Sequence, residues 1–184
     1  MNKQEDSQIL KLMKALDAEI EIEAQGMYER LHDGEASSIL FPTMIPIETL
    51  EETARPRELI GKKGVYAFVL KNDCLIPRRQ IRQWMEVKSA GFKHENKDIE
   101  GDCLYVGSCV SKSLYVRLAE HVGNKGISAL SLSHPKRVFL KPYLICYAFP
   151  IDKSIPKEYY KYCLPQIERK LHDKLEPVAG SSRT

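Results

Sequence analysis

The sequence predicts an α+β fold: a small, mainly antiparallel β-sheet flanked by helices and preceded by an N-terminal helical arm. Three observations carry that expectation. The segments "GVYAFVL" (64–70), "CLYV" (103–106) and "PYLICYAFP" (142–150) are short and rich in β-branched, aromatic and apolar residues, as sheet strands are. Other stretches carry apolar residues at helical spacing, between recognisable start and stop signals. The 184 residues, 43% of them hydrophobic, are enough for one domain with a proper core.

In chain order, residues 7–31 read as one long amphipathic helix, with Ile9, Leu10, Met13, Leu16, Ile20, Met27, Tyr28 and Leu31 near helical spacing among many acids. Gly34 closes it. A proline-punctuated connector follows, "FPTMIPIETLEETARPRELIGKKG", with a short helix expected around residues 48–53. From Gly64 the strand "GVYAFVL" begins, its nearly continuous apolar run that of a buried strand. An insertion at about 71–102 separates it from the second strand. Within it "PRRQIRQWMEVK" (77–88) reads as helix and "SAGFKHENKDIEGD" (89–102) as loop. A helix is expected from about Ser113 through "LYVRLAEHV" to Gly123, then the third strand, then a last helix starting at Pro165 and stopped by Pro177. The division expected is an acidic helical arm and linker at 1–60 and the main domain at 61–184.

Charge follows the same division. Residues 1–60 hold 6 Lys and Arg against 13 Asp and Glu, while residues 61–184 hold 22 against 12, so the net of +3 hides a basic C-terminal part suited to a polyanion. The acidic arm is expected to pack on the domain or to form a homodimer interface, not to face nucleic acid. Cys74, Cys103, Cys109, Cys146 and Cys163 have no zinc-finger spacing and read as reduced structural thiols. No apolar run approaches the roughly 20 residues of a membrane helix, and the polar N-terminus lacks the pattern of a signal peptide, so a cytoplasmic protein is expected.

The chemistry-bearing residues fall at the ends of strands and on two helices: Tyr66 in "GVY", Tyr105 and Gly107 in "YVG", Arg117 and His121 in "SLYVRLAEH", and Glu168 in "IERKLHDKLEP". Taken singly, each is an ordinary strand or helix-surface residue. Their combination and order resemble the GIY-YIG nuclease family over residues 64–180, and His121 four residues after Arg117 is similar to the histidine of its restriction-endonuclease branch. Gly180 stands where that family usually has an asparagine, with Asn124 the candidate to substitute for it in space. The resemblance implies a metal-dependent DNA endonuclease of restriction or host defence that uses Mg²⁺, with Mn²⁺ able to replace it. It further implies that Tyr66 is the general base or water-positioning group and Tyr105 its partner at the scissile phosphate.

The residue types suit such a reaction. Phosphodiester hydrolysis needs a positioned water, neutralised phosphoryl oxygens and in-line geometry. Mg²⁺ keeps several waters and needs few protein ligands, so Glu168 alone is a sufficient anchor; with Pro165 opening the helix, Glu168 is expected near the helix N-terminus, where the dipole favours a carboxylate. Arg117 offers a phosphate-matching fork. His121, on the same helix face, is expected to relay a proton or hold a tyrosine. His172, four residues beyond Glu168, reads as a surface residue. Arg78, Arg79 and Arg82 with Trp84, joined by Lys112, are expected to contact double-stranded DNA through phosphates and stacking. The alternative is a catalytically weak or inactive nucleic-acid-binding module on the same fold.

Overall fold

The structure is a computed structural model that describes residues 3–33, 43–46, 59–85, 101–123, 130–135, 137–151 and 155–179. Its centre is an antiparallel sheet in which β2 (Gly64–Leu70) lies between β3 (Cys103–Cys109) and β4 (Leu144–Pro150). A short strand, β1 (Thr43–Pro46), pairs with the outer edge of β4, giving the order β1-β4-β2-β3. The α+β class expected from the sequence is therefore observed. β1 falls in the segment whose sequence reads as connector, because its four residues lie among prolines and are too few to show a period of two. The short helix expected around residues 48–53 and most of the loop expected at 89–102 lie outside the described residues.

Every residue of β2 but one is buried, because helices cover both of its faces and neighbouring strands take both of its edges. Tyr66, Phe68 and Leu70 point to one side and Val65 and Ala67 to the other, as strand alternation requires. The first side is covered by α2 (Arg78–Met85), α3 (Leu114–Val122) and a 3-10 helix at Val138–Tyr143; the second by α1 (Lys3–Asp33) and α4 (Tyr160–Leu175). Opposite Phe68 and Val69 the register of β3 slips at a bulge, so that Leu104 and Tyr105 both join the α3 side. Val178 and Ala179 then extend the sheet beyond β3, donating their N–H groups to the carbonyls of Cys103 and Leu104, each at 3.0 Å.

The capping signals read in the sequence hold for α3: the Ser113 hydroxyl accepts from the Val116 N–H, and the helix stops at Gly123. They mislead for α4. The helix starts at Tyr160 after a 3-10 turn, so Pro165 lies within it and Glu168 is its ninth residue. Glu168 is thus remote from the positive end of the helix dipole, and that part of the expectation is corrected. The helix ends where Glu176 takes a left-handed conformation (φ 43°) ahead of Pro177.

Gly64 is set by packing, not by a turn. A Cβ there would stand 2.0 Å from the Phe149 carbonyl oxygen and 3.1 Å from Leu114 Cδ1. The acidic arm belongs to the same core: Leu16, Ile20, Ala24 and Met27 form a stripe of α1 packed with Leu164, Ile167 and Leu171 of α4. Lys170 Nζ reaches Glu21 Oε2 at 2.5 Å, and Lys174 Nζ reaches Gln25 Oε1 at 2.8 Å. Of the two arrangements expected for the arm, packing on the domain is the one observed. Toward its N-terminus the stripe leaves the core, with Leu10 55% exposed. The five cysteines are free thiols and four are buried. No helix among the described residues is long and apolar enough to cross a membrane.

Two substitutions separate apolar packing from surface charge in the hold on α1. Ile20→Ala, which empties a wholly buried site, is expected to cost about 2–5 kcal/mol in chemical denaturation. Glu21→Ala, which breaks exposed ion pairs, is expected to cost less than about 1 kcal/mol. Two equally small losses would show that α1 is not part of the cooperative unit.

Candidate active site

The site is built on the pairing of Tyr66 in β2 with Gly107 in β3. A Cβ on Gly107 would stand 2.4 Å from Tyr66 Oη, 2.6 Å from Tyr66 Cζ and 2.9 Å from Tyr105 Cε1, so the absence of a side chain is what lets the Tyr66 ring lie across the strand. Gly107 is therefore a seat for a phenol inside β3, not the turn leaving a strand that its spacing suggests. The rings of Tyr66 and Tyr105 are 6.2 Å apart, and His121 of α3 closes the group at 5.3 Å from Tyr66 and 5.2 Å from Tyr105. Tyr66 and His121 are buried, while Tyr105 is half-buried.

The hydrogen bonds fix the direction of the contact. The Leu130 N–H donates to His121 Nδ1 at 2.8 Å, so that nitrogen carries a lone pair. Burial and the nearby Arg117 charge hold His121 well below the ordinary histidine range, so the ring is neutral and its one proton lies on Nε2. His121 Nε2 is 2.6 Å from Tyr66 Oη and therefore donates to it. His121 as arranged is a donor that holds the phenol oxygen, not a base that takes its proton. This selects the holding role from the two expected.

The Arg117 charge lies close enough to act on the same phenol. Burial, with the neighbouring Tyr105 and Cys109, nevertheless pushes the Tyr66 phenol well above its ordinary range, against the pull of Arg117. Arg117 Nη1 also reaches Glu120 Oε2 at 3.2 Å, and the other Glu120 oxygen accepts from Lys112. Burial opposes ionisation of Glu120, but Lys112 and Arg117 outweigh it and keep the carboxyl below its usual range. The sequence reading missed Glu120, which lies one turn along α3 and aims the Arg117 fork.

A strap behind α3 holds the histidine. The Leu132 N–H donates to the His121 carbonyl at 2.7 Å, and Ser133 Oγ donates to the Val122 carbonyl. Arg137, almost wholly buried, donates from Nη1 to the Leu130 carbonyl at 2.8 Å and from Nη2 to the Met85 carbonyl at 3.4 Å. Arg137 thus ties the end of α2 to the residue whose N–H sets the His121 tautomer. No sequence signal marks it, because a buried arginine is spelled like an exposed one.

Glu168 reaches the site from the other side. Ser108 alternates with Gly107 and Cys109, so its side chain faces α4, where its hydroxyl donates to Glu168 Oε2. The carboxylate is therefore at the edge of β3, one residue from the glycine seat but across the sheet from Arg117 and His121. Its field still meets theirs at the Cys109 thiol, which burial pushes up to about 12 and which feels Arg117 and Glu168 in opposite senses. His172, expected at the surface, is buried, and its Nε2 has no hydrogen-bond partner among the described residues. The described residues hold no group of three or more His, Cys, Asp or Glu placed for a metal ion.

Of the expected nucleic-acid contacts, Arg78 is paired with Asp102 and Lys112 with Glu120. Arg79 is exposed, and Trp84 is half-buried against Phe139. Arg82 lies on α2 with its side chain outside the described residues. Ala179 pairs beside Tyr105, which brings the tail to the site's edge; Gly180 and Asn124 lie outside the described residues. No protein-family model, no curated protein and no solved structure matches the chain.

The buried pair predicts pH limits on stability. The unfolded chain takes up a proton on His121 below pH 6.5 that the native ring refuses, so His121 makes stability fall as pH drops through that value, by about 1.4 kcal/mol per unit. Tyr66 acts in the opposite direction: the unfolded phenol releases its proton above pH 10.0 while the native one keeps it, so stability falls as pH rises through 10.0. Denaturation across pH should show both limbs, and His121→Gln should flatten only the acid one. An unchanged acid limb would show that His121 is not held neutral.

Proposed function

We propose that this chain is a metal-dependent DNA endonuclease with a GIY-YIG-type site. The observation that carries the reading is that Tyr66, Tyr105, Arg117 and His121, scattered over 56 positions of sequence, gather around Gly107 while Glu168 binds the next residue, Ser108. Packing alone does not account for an arginine held half-buried beside two phenols, a neutral histidine and a carboxylate.

The roles follow from exposure. Arg117, with its fork aimed by Glu120, binds a non-bridging oxygen of the scissile phosphate and stabilises charge there as the attacking oxygen bonds to phosphorus. Tyr105, half-buried at the margin of the cluster, orients the attacking water; Tyr66, fully buried, lies behind it and acts on Arg117 and His121, not on water directly. This reverses the order in which the family resemblance ranks the two tyrosines. Glu168 would hold Mg²⁺ or Mn²⁺ through the oxygen that Ser108 leaves free, and a bound ion would neutralise phosphate charge and lower the pKa of water. Ser108 becomes the group that orients that carboxylate.

One observation favours a second reading, a binding module of low activity: Glu168 is engaged by Ser108 on the far side of the sheet from Arg117. A parallel assay decides between them. Plasmid DNA is incubated with Mg²⁺ or Mn²⁺ and wild type, Glu168→Ala, Arg117→Ala or Ser108→Ala. The nuclease reading expects metal-dependent cutting, abolished by Glu168→Ala, lowered on the order of 10²–10³-fold by Arg117→Ala and roughly 10–100-fold by Ser108→Ala. DNA binding by wild type without any cutting would replace it with the binding module.

A further inference from the structure

We propose that Trp84 and Phe139 form a stacking shelf for an unpaired base of single-stranded DNA, a contact surface distinct from the cluster around Tyr66. The choice of DNA rests on the nuclease reading; the shelf itself rests on other observations. The two rings are 6.1 Å apart and tilted by 43°, with Trp84 half-buried against the core and Phe139 62% exposed in the 3-10 helix. A phenylalanine this open, propped against a tryptophan, presents an apolar face that the domain does not use.

Its surroundings point to a polyanion. α2, which carries Trp84, holds three arginines and no acid in "RRQIRQWM". Arg79 is exposed on it. Around Phe139 the sequence has no aspartate or glutamate between Glu120 and Asp152, and Lys141 lies two residues from the ring's own position. An acidic peptide would match the charge, but the paired aromatic rings match a flat π-face, and every base offers one. In a duplex those faces are covered by neighbouring bases, so the shelf fits a base that has left the stack.

The shelf is also fixed relative to the site. Arg137 bonds the carbonyl of Met85, next to Trp84, and that of Leu130, whose N–H holds His121; it also leads directly into the 3-10 helix of Phe139. A strand seated on the shelf would therefore meet the site at a constant offset, which makes DNA with a single-stranded segment beside the cut the substrate class expected.

Trp84 is the chain's only tryptophan, so intrinsic fluorescence reports this surface directly. The 184-residue chain is titrated, without divalent cation, with oligo-dT of about 16 nucleotides and with a blunt duplex of equal length. Quenching by oligo-dT and not by the duplex is expected, with Phe139→Ala weakening oligo-dT binding on the order of 10-fold. No quenching, equal quenching by the duplex, or unaltered affinity in Phe139→Ala overturns the shelf. So does a Trp84 signal that changes with protein concentration alone, which would mean a second copy covers it. Cleavage read on the same preparations separates the two ideas: quenching without cutting keeps the shelf and removes the nuclease, and cutting without quenching does the reverse.

Discussion

A single phenol oxygen, buried and held by a histidine N–H beside an arginine charge, is the constraint on which the site depends. Tyr66 Oη can occupy its position only because Gly107 has no Cβ, and it is tolerable there because His121 donates to it and the Arg117 charge lies nearby. Each partner is in turn held by something else: His121 by the Leu130 N–H, Arg117 by Glu120, and Leu130 by the buried Arg137. The arrangement is a chain of dependencies running from Met85 at the end of α2 to Lys112 before α3. Its length explains why a small domain keeps an arginine and a neutral histidine inside, where each is costly to desolvate.

The position of Tyr66 gives the two tyrosines different work. A phenol whose ionisation is opposed by burial is a poor base, yet its oxygen is an effective acceptor for orienting a cation. Tyr66 thus organises Arg117, and in the proposed nuclease the half-buried Tyr105 is left to face substrate. Glu168 completes the site from the opposite layer by way of Ser108, so catalysis as proposed takes place at the edge of β3, where both layers can be reached. The bulge at Leu104 brings Tyr105 to that edge, and the tail at Ala179 pairs alongside it.

Much of this was legible in the sequence, for physical reasons that differ by element. β2 declared itself because a strand covered on both faces must be apolar throughout, and α3 because Ser113 and Gly123 mark its ends. The gathering of Tyr66, Tyr105, Arg117 and His121 was expected only through the resemblance of their order to that of the GIY-YIG family, since each alone reads as an ordinary strand or helix residue. The start of α4 was not, since a proline that suits a first turn is here accommodated inside the helix, and that error also displaced Glu168 toward the dipole. Arg137, Glu120 and Ser108 were silent because their roles depend on which distant residue stands opposite, a property of packing with no local spelling. His172 was misjudged for the same reason: helical spacing alone does not say how far around α4 the core extends.

The central claim is that His121 donates to Tyr66 instead of accepting from it. Nitrogen-15 NMR of the histidine side chains at neutral pH, with His121 assigned through His121→Gln, reads this directly. The account predicts an unprotonated Nδ1 and a protonated Nε2 on a neutral ring. The opposite tautomer, or a ring protonated on both nitrogens, would contradict it.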